Sequence, residues 1–156
     1  MRPICKFYRP NSLPISEVND RWEKRVRKLP ALTAETRAFW TGGGEGELRI
    51  HRCAACTRYF HPPQPVCPNC SSRDVAPTAV SGRGKVVSFT INHQPWTPEL
   101  SEKYVVAIVE LEEQAGLRFL SNVVGCPPEA VEVGMAVKVT FEQVEEIWIP
   151  LFERAA

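Results

Sequence analysis

The sequence predicts a mainly β protein in which N-terminal helices precede a small zinc ribbon and a five-stranded OB-fold barrel. Four cysteines stand as Cys53-x-x-Cys56 and Cys67-x-x-Cys70, a spacing that presents four thiolates to one tetrahedral ion. After Gly82, apolar residues recur with a period of two in five segments, and a short helical segment separates the third from the fourth. We expect three units: residues 1–45 (arm and helices), 46–76 (ribbon) and 77–156 (barrel).

The composition is that of a globular chain without a dominant charge. Its 156 residues are 44% hydrophobic, enough to build a core. A formal net charge of +1 creates no general basic field, so non-specific binding to nucleic acid or acidic membranes is not expected. We find neither a run of about 20 apolar residues nor a signal-peptide pattern, and we therefore predict a cytoplasmic protein without a membrane span.

Two helices are predicted before the ribbon, after a proline-containing arm of fifteen residues. The first runs from the capping residue Ser16 to Pro30, and its apolar stripe comprises Val18, Trp22, Val26 and Leu29. Its basic face is a solvated surface, or else a contact for a phosphate-bearing ligand or an acidic partner. The stripe has no evident cover within the chain, which favours docking on another subunit.

The second predicted helix is short. It runs from Thr33 through Phe39 and Trp40 to the glycine run Gly42-Gly43-Gly44, which we expect to end it.

The cysteine pattern predicts a structural zinc site with the ligands Cys53, Cys56, Cys67 and Cys70. Four protein ligands fill the coordination shell, so no position remains for water or substrate. Two disulfides would need an oxidising compartment, and a thioredoxin-type redox pair would need a strand–helix context that is missing here. His51 and His61 lie near the cysteines, and we expect both to be non-ligands.

The barrel strands are predicted from residues that share a face. The successive sets are Val87, Phe89 and Ile91; Val105, Ala107, Val109 and Leu111; Leu117, Phe119 and Val123; Val137, Val139 and Phe141; and Ile147, Ile149 and Leu151. Pro127-Pro128-Glu129 begins the short helix and Gly134 closes it. This order favours an OB-fold over a generic five-stranded sandwich.

No combination of residues in the sequence predicts a catalytic centre. Ser81-Gly82-Arg83-Gly84 lacks the ending of a phosphate loop and indicates a turn. His93 has no nucleophile or orienting carboxylate at a recognisable spacing, and we interpret Cys126 as a small buried residue. The acidic group Glu110, Glu112 and Glu113 is interpreted as a solvated edge.

From about residue 33 to the end, the chain closely resembles an acyl-CoA-associated family, long catalogued as a domain of unknown function, that joins a rubredoxin-like zinc ribbon to an OB-fold. The matching segments, in order along the chain, are Phe39-Trp40-x-Gly42, Glu47-Leu48-Arg49, the four cysteines with Pro62-Pro63 and Cys67-Pro68-x-Cys70, Ser81-Gly82-Arg83-Gly84, Ser88-Phe89-Thr90, Tyr104-Val105-Val106-Ala107, Val109-Glu110-Leu111, Asn122-Val123-Val124-Gly125, Val133-Gly134-Met135-x-Val137 and Pro150-x-Phe152. Two positions depart from the family pattern. Thr57 replaces a glycine, so that either this β-branched residue accepts a strained backbone or the knuckle adjusts, and Gln64 replaces an arginine.

The resemblance implies a non-catalytic accessory subunit of an acyl-CoA-processing complex. Its enzyme partner would be a thiolase-like aldolase, an acyltransferase or a hydratase, in some systems one that shortens steroid side chains. The barrel would help to complete or shield the acyl-CoA site, and the only cofactor of the chain itself would be structural zinc.

The alternative is a protein that binds single-stranded nucleic acid, because zinc ribbons and OB-folds both occur in that class. The barrel half, however, has scattered basic residues among a larger number of acids. The residues of the barrel therefore favour the accessory subunit.

Overall fold

The computed structural model describes residues 29–95 and 102–155 of the chain. The predicted helix from Ser16 to Pro30 and its apolar stripe lie outside the described residues, apart from Leu29 and Pro30. Within them, helix α1 (Arg37–Thr41) continues into a 3-10 turn (Gly42–Glu45). Eight strands follow: β1 (Leu48–Cys53), β2 (Tyr59–Phe60), β3 (Val75–Val80), β4 (Arg83–Asn92), β5 (Tyr104–Leu111), β6 (Arg118–Val124), β7 (Ala136–Val144) and β8 (Ile147–Arg154).

Two sheets organise the molecule. The ribbon is a three-stranded antiparallel sheet in the order β2-β1-β3, and the barrel is closed in the order β4-β5-β6-β8-β7. A 3-10 turn (Pro128–Ala130) lies between β6 and β7. The predicted mainly β fold, with a ribbon followed by an OB-fold, is therefore confirmed. Among the described residues, no helix is long and apolar enough to cross a membrane.

Ribbon and barrel share one hydrophobic core. Phe39 of α1 and Leu48 and Ile50 of β1 belong to the same buried cluster as Val86 and Phe152 of the barrel. A second, small cluster around Cys53, Phe60 and Cys67 belongs to the ribbon alone. The base of the ribbon is thus held by apolar packing, whereas its tip has little apolar surface to bury.

Helix α1 begins and ends differently from the prediction. Thr33 does act at the start, since its hydroxyl oxygen accepts a hydrogen bond from the Thr36 N–H (3.3 Å). The glycine run does not end the helix, however, and instead forms the 3-10 turn. A Cβ atom on Gly43 would lie 2.6 Å from the Phe141 and Trp148 side chains, so only glycine allows this close approach. Gly46, with φ of +74°, ends the turn.

Three details of the barrel also differ from the prediction. The register between β4 and β5 shifts between Val86 and Ser88, so Val86 is fully buried and Val87 only partly so. In β8 the fully buried core residue is Phe152, and Leu151 beside it is also buried because α1 lies against this strand. The 3-10 turn ends at Ala130, and the positive φ of Gly134 (+87°) belongs to the turn into β7.

Candidate metal centre and adjoining surfaces

The four predicted ligands converge at the tip of the ribbon. The sulfur atoms of Cys53, Cys56, Cys67 and Cys70 all lie within 4.8 Å of one another. Two of the distances, from Cys53 Sγ to Cys70 Sγ and from Cys56 Sγ to Cys67 Sγ, are 3.6 Å. A tetrahedral zinc ion with Zn–S bonds of about 2.3 Å holds its ligands about 3.8 Å apart, whereas a disulfide needs about 2.05 Å. The donor set therefore fits zinc.

Two similar knuckles produce this convergence. The Cys53 N–H donates to the Arg58 carbonyl, and the Cys67 N–H donates to the Ser72 carbonyl, both at 2.9 Å. Each knuckle ends on a residue with positive φ, Thr57 at 61° and Ser71 at 59°. Of the two alternatives for Thr57, the strained backbone is the one observed, since a β-branched side chain disfavours this region.

The pKa values of the Cys56 and Cys70 thiols are shifted in opposite directions, and a bound dication would favour the thiolate form of both. A backbone hydrogen bond from Arg58 is the largest influence on Cys56 and lowers the pKa of its thiol to about 6. At Cys70 a backbone hydrogen bond from Ser72 favours the thiolate, but the neighbouring cysteines, Cys56 foremost among them, together with burial raise its pKa to about 12. Four adjacent thiolates repel one another in the absence of a cation, and bound zinc stabilises all four.

The two nearby histidines lie in aromatic surroundings. His51 is buried, and its ring centroid is 5.8 Å from that of Phe60. The His61 ring lies 4.7 Å from Phe39 and 5.6 Å from Phe119, at the junction of helix, ribbon and barrel. Burial, and to a smaller extent the nearby His51, lowers the pKa of His61 to about 4. The potential metal-binding cluster of the described residues consists of the four cysteines without either imidazole.

A side-chain amide joins the ribbon to the barrel. The Tyr59 N–H of β2 donates to Gln114 Oε1 (2.9 Å), and Gln114 Nε2 donates to the Tyr59 carbonyl (3.1 Å). Gln114 thus pairs with the edge of β2 as a neighbouring strand would. Beside this pair, a groove of about 310 Å³ is lined by residues of both units, including Arg58, His61 and Arg118.

The acidic residues at the end of β5 and just after it are not simply a solvated edge, which corrects the prediction. Glu110 accepts from Arg118 Nε (2.7 Å) and lies 3.5 Å from Lys85 Nζ, and its side chain is only 13% exposed. The hydrogen bond from Arg118 holds the pKa of this carboxyl below its usual range. Glu113 accepts from the Ser81 N–H and so connects the loop after β5 to the turn between β3 and β4. Only Glu112 is exposed.

The remaining candidates lie apart from one another. His93 is exposed just after the end of β4. Cys126 is half-buried after β6 and packs against the core, so it is less buried than predicted. Gly82, with φ of +69°, lies in the turn between β3 and β4, as expected for the Ser81–Gly84 segment.

Sequence reasoning missed an apolar patch on the outside of the barrel. Ile108 and Leu120 lie opposite each other on β5 and β6, with 37% and 67% of their surface exposed. A smaller groove of about 170 Å³ begins beside Leu120 and is also lined by Phe39, Trp40 and Ile149. The signal was the unbroken apolar run Tyr104–Val109, which indicates a strand covered on both faces.

The two units match known domains. Residues 40–76 match the ChsH2 rubredoxin-like zinc ribbon domain, and residues 77–142 match the ChsH2 C-terminal OB-fold domain. A DUF35 domain-containing scaffold protein of Methanocaldococcus jannaschii is 36% identical over 97 residues, which are 61% of this chain and 67% of the relative.

Two other relatives have names that refer to enzymes. The alpha subunit of 3-oxo-4,17-pregnadiene-20-carboxyl-CoA hydratase from Mycobacterium tuberculosis is 37% identical over 88% of this chain and 43% of its own length. The chain spans less than half the length of the hydratase alpha subunits that it matches. Among solved structures, a chain of the Ltp2-ChsH2(DUF35) aldolase is similar, with a TM-score of 0.73 and 36% identity over 82% of this chain and 100% of that chain.

Proposed function

The chain belongs to the DUF35 family, which joins a ChsH2-type zinc ribbon to an OB-fold, and on that premise we propose that it is a non-catalytic accessory subunit of an acyl-CoA-processing enzyme. The observation that carries the proposal is its likeness to the full length of a chain of the Ltp2-ChsH2(DUF35) aldolase. The partner proposed here is a thiolase-superfamily lyase or acyltransferase, or a hydratase. Hydratase relatives support the acyl-CoA class of substrate.

We propose that Cys53, Cys56, Cys67 and Cys70 hold one zinc ion. When bound, the ion supplies structural cross-linking and no reaction chemistry, because four thiolates complete its shell. The chain's own residues fold the tip into two knuckles and tie β2 to the barrel through Gln114. Four reduced thiols suit the cytoplasm, which is where we place the protein.

The proposed role of the barrel is to dock on the enzyme and to help complete or shield the acyl-CoA site. Degradation of a steroid side chain is the reaction setting suggested by the mycobacterial hydratase relative, whose name contains a pregnadiene-carboxyl-CoA. The catalytic groups and the CoA-binding residues then belong to the partner or to the interface.

Co-expression with the acyl-CoA enzyme encoded nearest to this chain tests the proposal. We expect the two proteins to co-purify, and turnover of the acyl-CoA substrate to exceed that of the enzyme alone by about tenfold or more, because small misplacements in a site cost that much. The Cys67→Ser chain is the matched control. Unchanged solubility and turnover, or turnover by the isolated chain, would contradict the proposal.

A further inference from the structure

The four cysteines at the tip of the ribbon differ in their access to solvent. Cys53 and Cys67, the first cysteine of each knuckle, are buried. Cys56 is half-buried, and Cys70 is exposed. A bound zinc ion keeps all four sulfurs in the thiolate form, which is the form that reacts with oxidants. Exposure therefore decides which sulfur an oxidant in solution reaches first, and that sulfur belongs to Cys70.

Two close pairs of sulfur atoms join the first knuckle to the second. Cys70 Sγ lies 3.6 Å from Cys53 Sγ, and Cys56 Sγ lies 3.6 Å from Cys67 Sγ. Each pair combines a buried cysteine with one that is more accessible. Redox-sensor sites have the same arrangement, in which an accessible cysteine reacts first and a neighbouring cysteine resolves its oxidised form. A disulfide formed within either pair would connect the two knuckles.

Loss of the metal should leave most of the fold in place. Leu48 and Ile50 at the base of the ribbon belong to the core that is shared with the barrel, whereas the tip has only its own small cluster. Oxidation should therefore change the tip while the barrel stays folded, so that reduction can restore the site. The change would also alter an exposed surface, because Cys67, Pro68 and Asn69 line the groove of about 310 Å³ between ribbon and barrel.

We propose that the tip of the ribbon is a reversible redox switch, in which a hydroperoxide oxidises Cys70, Cys53 forms a disulfide with it, and zinc is released. The inference rests on the zinc site of the proposed function. The Cys70 thiolate attacks one peroxide oxygen, the O–O bond breaks, and hydroxide leaves, which converts the sulfur to a sulfenic acid. The Cys53 thiolate then attacks this sulfur, the S–O bond breaks, and a second hydroxide leaves.

The two sulfurs together supply the two electrons that reduce the peroxide. Zinc then keeps only two of its four ligands, and it dissociates because two thiolates hold the ion far less tightly than four.

The sequence allows this disulfide to be distinguished from one within a Cys-x-x-Cys pair. Trypsin cleaves after Arg52, Arg58 and Arg73, so the first knuckle lies in peptide 53–58 and the second in peptide 59–73. A disulfide between the knuckles links these two peptides, whereas a disulfide within a knuckle leaves them separate.

The test uses the full chain purified with its metal, and its zinc content is measured first by atomic absorption. Hydrogen peroxide should release about one zinc ion per chain, detected with the chelating dye 4-(2-pyridylazo)resorcinol. After free thiols are blocked, mass spectrometry without reduction should find peptides 53–58 and 59–73 as one linked species. Reduction followed by addition of zinc should restore the metal content, and circular dichroism should show a folded barrel throughout.

Two histidine variants test the role of Cys70, because a shell of three cysteines and one histidine also binds zinc. Cys70→His removes the accessible sulfur and should slow zinc release by peroxide about fivefold or more. Cys56→His is the matched control, since it has the same kind of shell but keeps Cys70 beside Cys53. Its release rate should stay within about twofold of the parent rate. The peptide map of the parent chain decides the case if a variant fails to bind zinc.

Each outcome bears on the inference. Zinc that stays bound while peroxide oxidises free cysteine, or zinc release that leaves the two peptides unlinked, would overturn the switch and leave the zinc site intact. Equal release rates of Cys70→His and Cys56→His would overturn the role of Cys70 as the first sulfur attacked. A parent chain purified without metal would overturn both the switch and the zinc site on which it rests.

Discussion

The chemistry of single residues matters most at the tip of the ribbon. Its small cluster of Cys53, Phe60 and Cys67 buries little apolar surface. A segment of this size rarely folds by burial alone, so we propose that metal coordination supplies most of its stability. The cysteines are therefore structural residues whose loss should act locally first.

Replacing Cys67 by serine should release the metal and unfold the knuckles. Cys67 is 1% exposed, and its sulfur lies 3.6 Å from that of Cys56. We expect the zinc content to fall from about one ion per chain to nearly none. Atomic absorption measures the metal, and circular dichroism follows the barrel, which should survive in part.

Cys126→Ser is the control for this variant, since Cys126 lies in the barrel away from the cluster. It should keep its zinc. Retention of zinc by Cys67→Ser would contradict the assigned ligand set. Complete loss of the circular dichroism signal of the barrel would show that the core shared by ribbon and barrel does not stay folded once the tip of the ribbon has unfolded.

Thr57→Gly should stabilise the protein. Thr57 is exposed and has φ of 61°, so the substitution removes backbone strain without removing packing. The relief of about 1–2 kcal/mol is partly offset by the greater freedom of glycine in the unfolded chain, about 0.5–1 kcal/mol. We expect Tm to rise by about 1–4 °C in a calorimetric scan.

Ser71→Gly is the matched substitution in the second knuckle, where φ is 59°. Serine has no β-branch, so its gain should be smaller than that of Thr57→Gly. A fall in Tm for Thr57→Gly would mean that the threonine side chain stabilises the knuckle in a way that outweighs the strain.

At the scale of elements, the decisive feature is the junction of α1, ribbon and barrel. The rings of Phe39, His61 and Phe119 contact one another there at tilted angles, and Gln114 pairs with β2 nearby. Because Leu48 and Ile50 of β1 are part of the barrel core, the ribbon is packed against the barrel and is not joined to it by a flexible linker alone.

This junction should make stability depend on pH. Burial lowers the pKa of His61 from 6.5 to about 4. Between these two pH values the imidazole therefore stays neutral in the native protein, whereas it takes up a proton in the unfolded chain. The unfolded state therefore binds more protons between these two values, and stability falls as the pH falls through that window. From pH 7.5 to pH 5 this group should remove about 2 kcal/mol of the free energy of unfolding.

Urea unfolding at the two pH values measures this effect. His61→Phe keeps an aromatic ring at this position but has no group that titrates. Between pH 7.5 and pH 5 its free energy of unfolding should therefore fall by about 2 kcal/mol less than that of the parent chain. His93→Phe is the control, since His93 is exposed. Zinc content should be checked in each sample. Equal pH dependence of the parent and His61→Phe would contradict the assigned role of the imidazole.

Much of this architecture could be predicted from local patterns. The four cysteines, the five barrel strands and the 3-10 turn at Pro128 follow from spacing, alternation and proline placement. The bulge after Val86 could not be predicted, because an alternating pattern does not reveal where one extra residue enters a strand. The glycine run was misinterpreted because its reason, close contact with Phe141 and Trp148, is tertiary.

The candidate site was predicted less completely than the fold. Gln114 pairs with Tyr59 across 55 positions of sequence, and no periodicity marks such a contact. Glu110 was interpreted as solvated because its partners Lys85 and Arg118 come from other strands. The exposure of Leu120 leaves no sequence signal, because alternation marks the buried residues of β6 and does not distinguish polar from apolar residues on the outward face.

At the scale of the whole molecule, the metal site, the packing of the ribbon and the exposed groove all suit a structural role. Four cysteines converge on one potential metal site, the ribbon is fixed to the barrel, and the exposed Leu120 lies beside a groove. Such a molecule is suited to present a rigid surface to a partner. The proposed accessory role in acyl-CoA chemistry agrees with this construction.

Native mass spectrometry of the chain co-expressed with its neighbouring acyl-CoA enzyme tests the central claim most directly, since one spectrum reports both the partner and the metal. The account predicts a hetero-oligomer whose mass includes about one zinc ion for each copy of this chain. A metal-free chain that appears alone, with the enzyme in separate peaks, would contradict it.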